Sequence, residues 1–472
     1  MNQKIILSLA VMLTATVSQA QSLTLDQYLG QVRAGNDGYK SSIATADGAP
    51  NKSADADMVY ATTVFANIQT AVDKKEMIPA SQRGSETDNT STQVGLSKMT
   101  TFGTAAKFYY NASQTTIHGT SNTFVPQPAW RETSPTIEVT HPLWKNAHGK
   151  DIAKSVELQQ GQAEITKLSE SLKRKSTIAE SEGYYWRLVL ARESVRVAKE
   201  NLERANRIIA WNQKRVSSEL ADSADLIQAE ALGEVRDIEL TMAIDEERAA
   251  AHAFNTARGA PGSAVKEDLT KITPELIASI PAPQKANERE DLKATIKAER
   301  LSELGADLAS DKYDPSLDLF AMGAMNGRDS SSYSKANSES MKAKHTTYAV
   351  GLKFSAPLGG DSLSRVRSGY AKDKEAAALA VSRMRYENDR EWSDLTSKLG
   401  ESKSRLALTQ KIEATQQRKL GAERSRQSKG RSTMSQVMQS ETDYAAAQLN
   451  VIRNKAEILG IIARMKTFGG EG

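Results

Sequence analysis

Histidine is the side chain best suited to acid–base or metal chemistry near neutral pH. The chain has five: His118, His141, His148, His252 and His345. None lies in an HExxH motif or at a helical spacing that would bring two imidazoles onto one metal ion. Cysteine is absent from all 472 residues. That removes a thiol nucleophile, Cys-ligated zinc and any disulfide framework. No G-x-S-x-G elbow, P-loop or dinucleotide fingerprint occurs. Acidic residues are plentiful, but on helices they read as solvated faces and i,i+4 partners. No catalytic residue, cofactor site or metal site is expected, so the sequence does not read as an enzyme. What remains is the chemistry of surfaces: polar groups at helix starts and apolar groups at alternate strand positions.

Two helix starts stand out. Asp222-Ser223-Ala224-Asp225 is an acidic capping pattern, and Thr433-x-x-Gln436 is a capping box, with Gln439 one turn on. Helix capping is the plain reading of Asp225 and Gln436; the functional reading is that these tips form one end of a channel. The clearest strand is His345 to Pro357. In it Tyr348, Val350, Leu352 and Phe354 alternate with Ala349, Gly351, Lys353 and Ser355, which gives one apolar face and one small or polar face. Weaker alternation runs through Thr62–Val72, Gln93–Met99, Thr104–Ala112, Thr136–Leu143 and Leu317–Ala321. Strands with an apolar outer face suit a membrane barrel, in which Tyr348, Val350, Leu352 and Phe354 face lipid. The same alternation would also serve a soluble sandwich.

The elements that must position these groups are mostly helical. Sixty-two basic and 58 acidic residues give a formal charge of +4, which does not suggest a nucleic-acid binder. Hydrophobic residues make up 39% and mean hydropathy is −0.50, excluding a bundle of transmembrane helices. Residues 1–20 read as a signal peptide: Lys4, an apolar run from Ile5 to Val17, and a small-x-small cleavage pattern at Ser18-Gln19-Ala20. Proline-free, Ala/Glu/Lys/Arg-rich stretches run from about Gly149 to Arg258 and from Ser362 onward. The spacing predicts one helix from His148 to Val216, which at 1.5 Å per residue would extend about 100 Å. Near the C-terminus Ala445, Leu449, Ile452, Ala456, Leu459 and Ala463 form a heptad seam. Val437, Tyr444, Val451, Ile458 and Met465 form a second stripe beside it.

The order helix, strands, long helix, helix occurs twice. Asp225 and Gln436 are 211 positions apart, and each lies 34 positions before a glycine, Gly259 or Gly470. This spacing predicts an internal repeat: residues 21–262 as the first copy, 263–290 as a linker and 291–472 as the second.

The sequence resembles the TolC-type outer membrane efflux proteins of Gram-negative bacteria. Leu23-Thr24-Leu25-Asp26-Gln27-Tyr28-Leu29 resembles the family's first helix. Asp291-Leu292-Lys293-Ala294, then Pro315-Ser316-Leu317-Asp318-Leu319, resembles the start of its second repeat, and Gly351 to Leu358 resembles its strand-to-long-helix junction. Leu220 to Glu230 resembles its helix tip, with Asp225 at the acidic position. The resemblance implies a mainly α fold with membrane β: a two-repeat protomer, a long coiled-coil helical tunnel, and four strands given to a shared trimeric β-barrel. It implies an outer-membrane location with the helical part in the periplasm. It implies a passive exit duct for tripartite efflux or type I secretion, with a periplasmic adaptor and an inner-membrane transporter as partners and no nucleic acid or cofactor. Asp222, Asp225, Gln436 and Gln439 would stand at the periplasmic constriction. At Gln436 and Gln439 family members can carry aspartates, so an anionic ring is not implied here. The first repeat also has more strand candidates than the family pattern uses, so an extra hairpin is expected. The alternative is a non-pore periplasmic or secreted structural coiled-coil protein.

Overall fold

The structure, a computed structural model, describes residues 22–75, 78–121, 123–220, 222–286 and 288–469. The predicted signal peptide lies outside the described residues. In chain order the elements are α1 (Leu25–Gly35), α2 (Asp37–Ser53), β1 (Thr63–Asp73), α3 (Ala80–Arg83), β2 (Glu86–Met99), β3 (Ala105–His118), β4 (Ala129–Pro142), α4 (Lys150–Ser217), α5 (Ser223–Ala257), α6 (Pro274–Ser279), α7 (Glu290–Asp311), β5 (Ser316–Met325), β6 (Gly327–Asp329), α8 (Tyr333–Met341), β7 (Thr346–Ser355), α9 (Gly360–Ser428) and α10 (Met434–Lys466). No helix among the described residues is long and apolar enough to cross a membrane.

The chain divides into two compact units, one built from residues up to 44, 170–289 and from 387 onward, the other from 45–169 and 290–386. In the first, helices share an apolar core. Tyr28 and Phe254 are fully buried and stack with ring centroids 4.1 Å apart. The Tyr185 hydroxyl donates to the Leu23 carbonyl at 2.6 Å and accepts from the Thr270 amide at 3.1 Å, so this buried phenol is satisfied on both sides. Along α10 every member of the second predicted stripe is buried. The predicted seam holds at Ala445, Ile452, Leu459 and Ala463. It fails at Ala456, which is exposed beside the equally exposed Glu457.

The second unit is dominated by one antiparallel sheet in the order β1-β2-β3-β4-β5-β7, with β6 continuing beside β4. Six strand positions replace the four that the family resemblance implied. Strands β2 and β3 form a long hairpin within residues 86–118 that lies inside the sheet, paired on both sides. Its tight turn, Thr100 to Thr104, packs against the start of α4. A side chain at Gly149, whose φ is +75°, would meet the Thr101 carbonyl oxygen at 2.1 Å, so only glycine fits there. Asn146 then caps α4, its Oδ1 accepting from the Asp151 amide at 3.0 Å. Below the sheet, α7 closes on α4 because Gly161 has no Cβ to strike Leu301.

Candidate functional site

Strand pairing assigns every residue of the sheet to one of two faces, because directly opposed residues point the same way. One row crosses all six strands: Val64, Leu96, Phe108, Ile137, Gly323 and Tyr348. Its large apolar members are exposed, Val64 at 71% and Tyr348 at 84%. Val350, Leu352 and Phe354 continue the same face down β7 and are exposed by more than 60%. The four lipid-facing candidates therefore share one apolar face, left uncovered among the described residues. At the far end of that face the polar helix α8 lies against β4 and β6. Its Ala336 and Ser340 are fully buried. A Cβ at Gly327 would meet the Ala336 carbonyl at 1.9 Å, and the Tyr110 hydroxyl donates to Asn337 at 3.0 Å.

The opposite face is polar. A belt of amides and hydroxyls crosses it, with Asn67 opposite Gln93, Gln93 opposite Asn111, and Asn111 opposite Ser134. Ser134 donates to Asn326 Oδ1 at 2.6 Å, and Asn326 donates to the Thr347 hydroxyl at 2.8 Å. Most charges on this face come as neighbours of opposite sign: Lys107 opposite Glu138, Asp318 opposite Lys353, and Glu132 paired with Arg328. Gly95 gives room for Phe65 and Tyr109, whose rings lie 6.4 Å apart.

The second candidate region is the pair of helix tips in the first unit. After α4, Glu219 takes a positive φ and the Leu220 amide returns to the Arg215 carbonyl at 2.8 Å. After α9, Gly430 takes a positive φ and the Arg431 amide returns to the Arg426 carbonyl, again at 2.8 Å. Each of these residues lies 211 positions from its counterpart, as do Asp222 and Thr433. The two tips are packed together by a small core of Ile208, Ala229, Leu420, Met434, Val437 and Met438.

Polar contacts fasten this bundle. Glu441 of α10, 4% exposed, binds Arg204 of α4 at 3.0 Å and also Arg424 of α9. The Arg204 guanidinium lies 5.1 Å from the Tyr444 ring centroid. Lys419 of α9 binds Asp443 of α10 at 2.8 Å, and Arg236 of α5 donates to the Thr442 hydroxyl at 3.2 Å. The Lys419 ammonium and then the Gln439 amide hold the Asp443 carboxyl below the usual range. The Ser432 hydroxyl, with Arg426 beside it, does the same for Glu423.

Asp222 is the N-cap of α5, accepting from the Ala224 amide at 3.0 Å. That bond, followed by one from the Ser223 hydroxyl, lowers its pKa. Asp225 is partly buried and has no ion pair among the described residues. Arg215 covers the Trp211 ring at 4.6 Å and donates to the Leu220 carbonyl. Gln436 completes the capping box with Thr433. Gln439 donates to Asp443 at 2.9 Å. Sequence reasoning missed Glu441 and Arg204, whose partnership spans 237 positions and leaves no local pattern. Among the described residues no group of three or more His, Asp or Glu could hold a metal ion.

The fold is that of the TolC-type outer-membrane channels. The outer-membrane channel OprN superposes with a TM-score of 0.71 at 15% identity, over 95% of this chain and 90% of that one. The outer membrane protein VceC of Vibrio cholerae gives 0.69 at 12% identity, over 94% and 96%. The Campylobacter jejuni outer membrane channel CmeC gives 0.67 at 13% identity, over 99% and 94%. No protein-family model and no curated protein matches the chain.

Proposed function

We propose that the protein is the outer-membrane exit duct of a tripartite efflux or type I secretion assembly, acting as a homotrimer. The observation that carries this reading is the sheet, apolar on one outward row after another and polar on the other face. Open in one chain, such a sheet buries its apolar face in lipid only once several copies close it. Ten-residue strands such as β5 and β7 match the hydrocarbon thickness when tilted. The polar helix α8 on the outward face marks the level where hydrocarbon ends. The amide belt faces the lumen and, with the opposed charges beside it, gives a polar lining, so selection rests on width and lining rather than on a tight ligand site. On this reading residues 21–262 and 291–472 are the two repeats, joined by 263–290, and the tips at Asp222, Asp225, Gln436 and Gln439 form the periplasmic entrance. A periplasmic adaptor and an inner-membrane transporter would load the duct and supply the energy.

The test is reconstitution. Protein extracted from outer membranes in mild detergent should run as a three-chain species after crosslinking and should conduct ions in a planar bilayer. Extraction by salt alone as a soluble rod would overturn the proposal in favour of a non-pore coiled-coil protein.

A further inference from the structure

The sheet ends in two bare edges. Among the described residues β1 pairs only with β2, and β7 only with β5, leaving 11 and 10 residues of backbone unpaired on their outer sides. Soluble proteins shield such edges with proline, bulges or inward charges. Neither strand contains a proline, and the charged residues within them are Asp73, at the very end of β1, and Lys353. Every neighbouring pair in the six-strand path is antiparallel. An even number of such strands makes β1 and β7 run in opposite directions. An identical sheet can therefore dock edge to edge with continuous antiparallel pairing. The faces also agree: Val64, Ala66 and Ile68 on β1 point to the same side as Tyr348, Val350 and Leu352 on β7. Joined at that edge, the outward apolar band runs on without a break.

We infer that β1 of one copy pairs antiparallel with β7 of the next, so that six strands from each of three copies close an eighteen-stranded barrel. This rests on the trimeric duct proposed above, and it departs from the twelve strands that four per chain would give. The hairpin of β2 and β3 belongs to the barrel wall, because β3 is hydrogen-bonded along its length to both β2 and β4 and offers no free edge. Barrel diameter grows roughly in proportion to strand number, and eighteen strands reach the range that encloses an open aqueous channel. Such a barrel is about half again as wide as a twelve-stranded one. It passes cargo that a narrower barrel would filter by size, and the amide belt becomes a closed ring around it.

The chain has no cysteine, so introduced pairs report cleanly. Ala66→Cys would be combined in turn with Tyr348→Cys, Val350→Cys and Leu352→Cys, with Ala112→Cys on β3 in place of Ala66→Cys as the comparison. Oxidation of detergent-extracted protein should link chains into dimers and trimers with at least one β1–β7 pair, and with none of the β3–β7 pairs. Electron cryo-microscopy of the unmodified trimer should count eighteen strands. Links from Ala112→Cys, or a map with twelve strands, would overturn the inference while leaving the trimeric duct standing. A protein that stays monomeric in every detergent and links through no pair would overturn both.

Discussion

The sheet and the helix tips use opposite kinds of information. In the sheet no single side chain matters much: the property is a face, repeated every second residue over six strands. At the tips the backbone turns are the same in both repeats, yet the side chains differ. The first tip carries a bare Asp225 and an Asp222 cap, whereas the second spends Gln436 on its own cap and Gln439 on Asp443. The face tolerates drift in identity and fails on a change of polarity. The tip depends on particular partners and fails when one is removed.

The sharpest way to break this contrast is at Glu441. Glu441→Ala leaves the largely buried Arg204 without its carboxylate, and losing one member of a buried pair costs about 3–5 kcal/mol. The expected readouts are a lower melting temperature and faster proteolysis near α10. An unchanged melting temperature would show that the tip is held by its apolar core alone.

In the sheet, Leu352→Arg should cost about 2–4 kcal/mol if the residue lies near the membrane midplane. Gly351→Arg, on the opposite face, should leave assembly intact and alter conductance once the Phe320 ring, 2.6 Å from the new Cβ, turns aside. Trimer yield on gels separates the two, and equal tolerance would mean that the faces are misassigned.

Removing a cap is a smaller effect. Thr433→Ala should lower stability by about 1 kcal/mol, measured by thermal melting. A loss comparable to that of Glu441→Ala would mean that the cap, rather than the Arg pair, secures the tip.

Gln439→Asp places a carboxylate one turn from Asp443, a like-charge pair that costs about 0.2–0.5 kcal/mol on a helix. If this position faces the pore axis, cation selectivity in single-channel recordings should rise. Unchanged selectivity in assembled trimers would put the constriction elsewhere.

Acid should act most gently. Because Asp443 and Glu423 have folded-state values below their ordinary ones of 3.8 and 4.5, the stability they add is complete above those values. It fades as pH falls through the lowered ones. Tip proteolysis should therefore stay flat from neutral pH down to about pH 5 and quicken only below the ordinary carboxylate range.

Much of the fold was legible in the sequence. Helix composition and absent proline place α4 and α9 within a few residues, and β7 is plain because the residues between its apolar ones are small or polar. The first repeat was harder. Residues Glu86 to Thr92 of β2 are polar on both faces, since the strand extends past the apolar band, so only its second half alternates. Placing the extra hairpin within the sheet required pairing partners, which no single strand encodes. At the tips, caps are local and visible, while the Arg204–Glu441–Arg424 cluster joins three helices and is set by packing alone.

The even count of strands has an evolutionary corollary. Inserting one hairpin into a meander leaves both outermost strands with their original directions and side-chain phases. The seam between copies then needs no redesign when a pore is enlarged. In a barrel shared by three copies, each inserted hairpin would add six strands at once, so calibre would change in discrete steps.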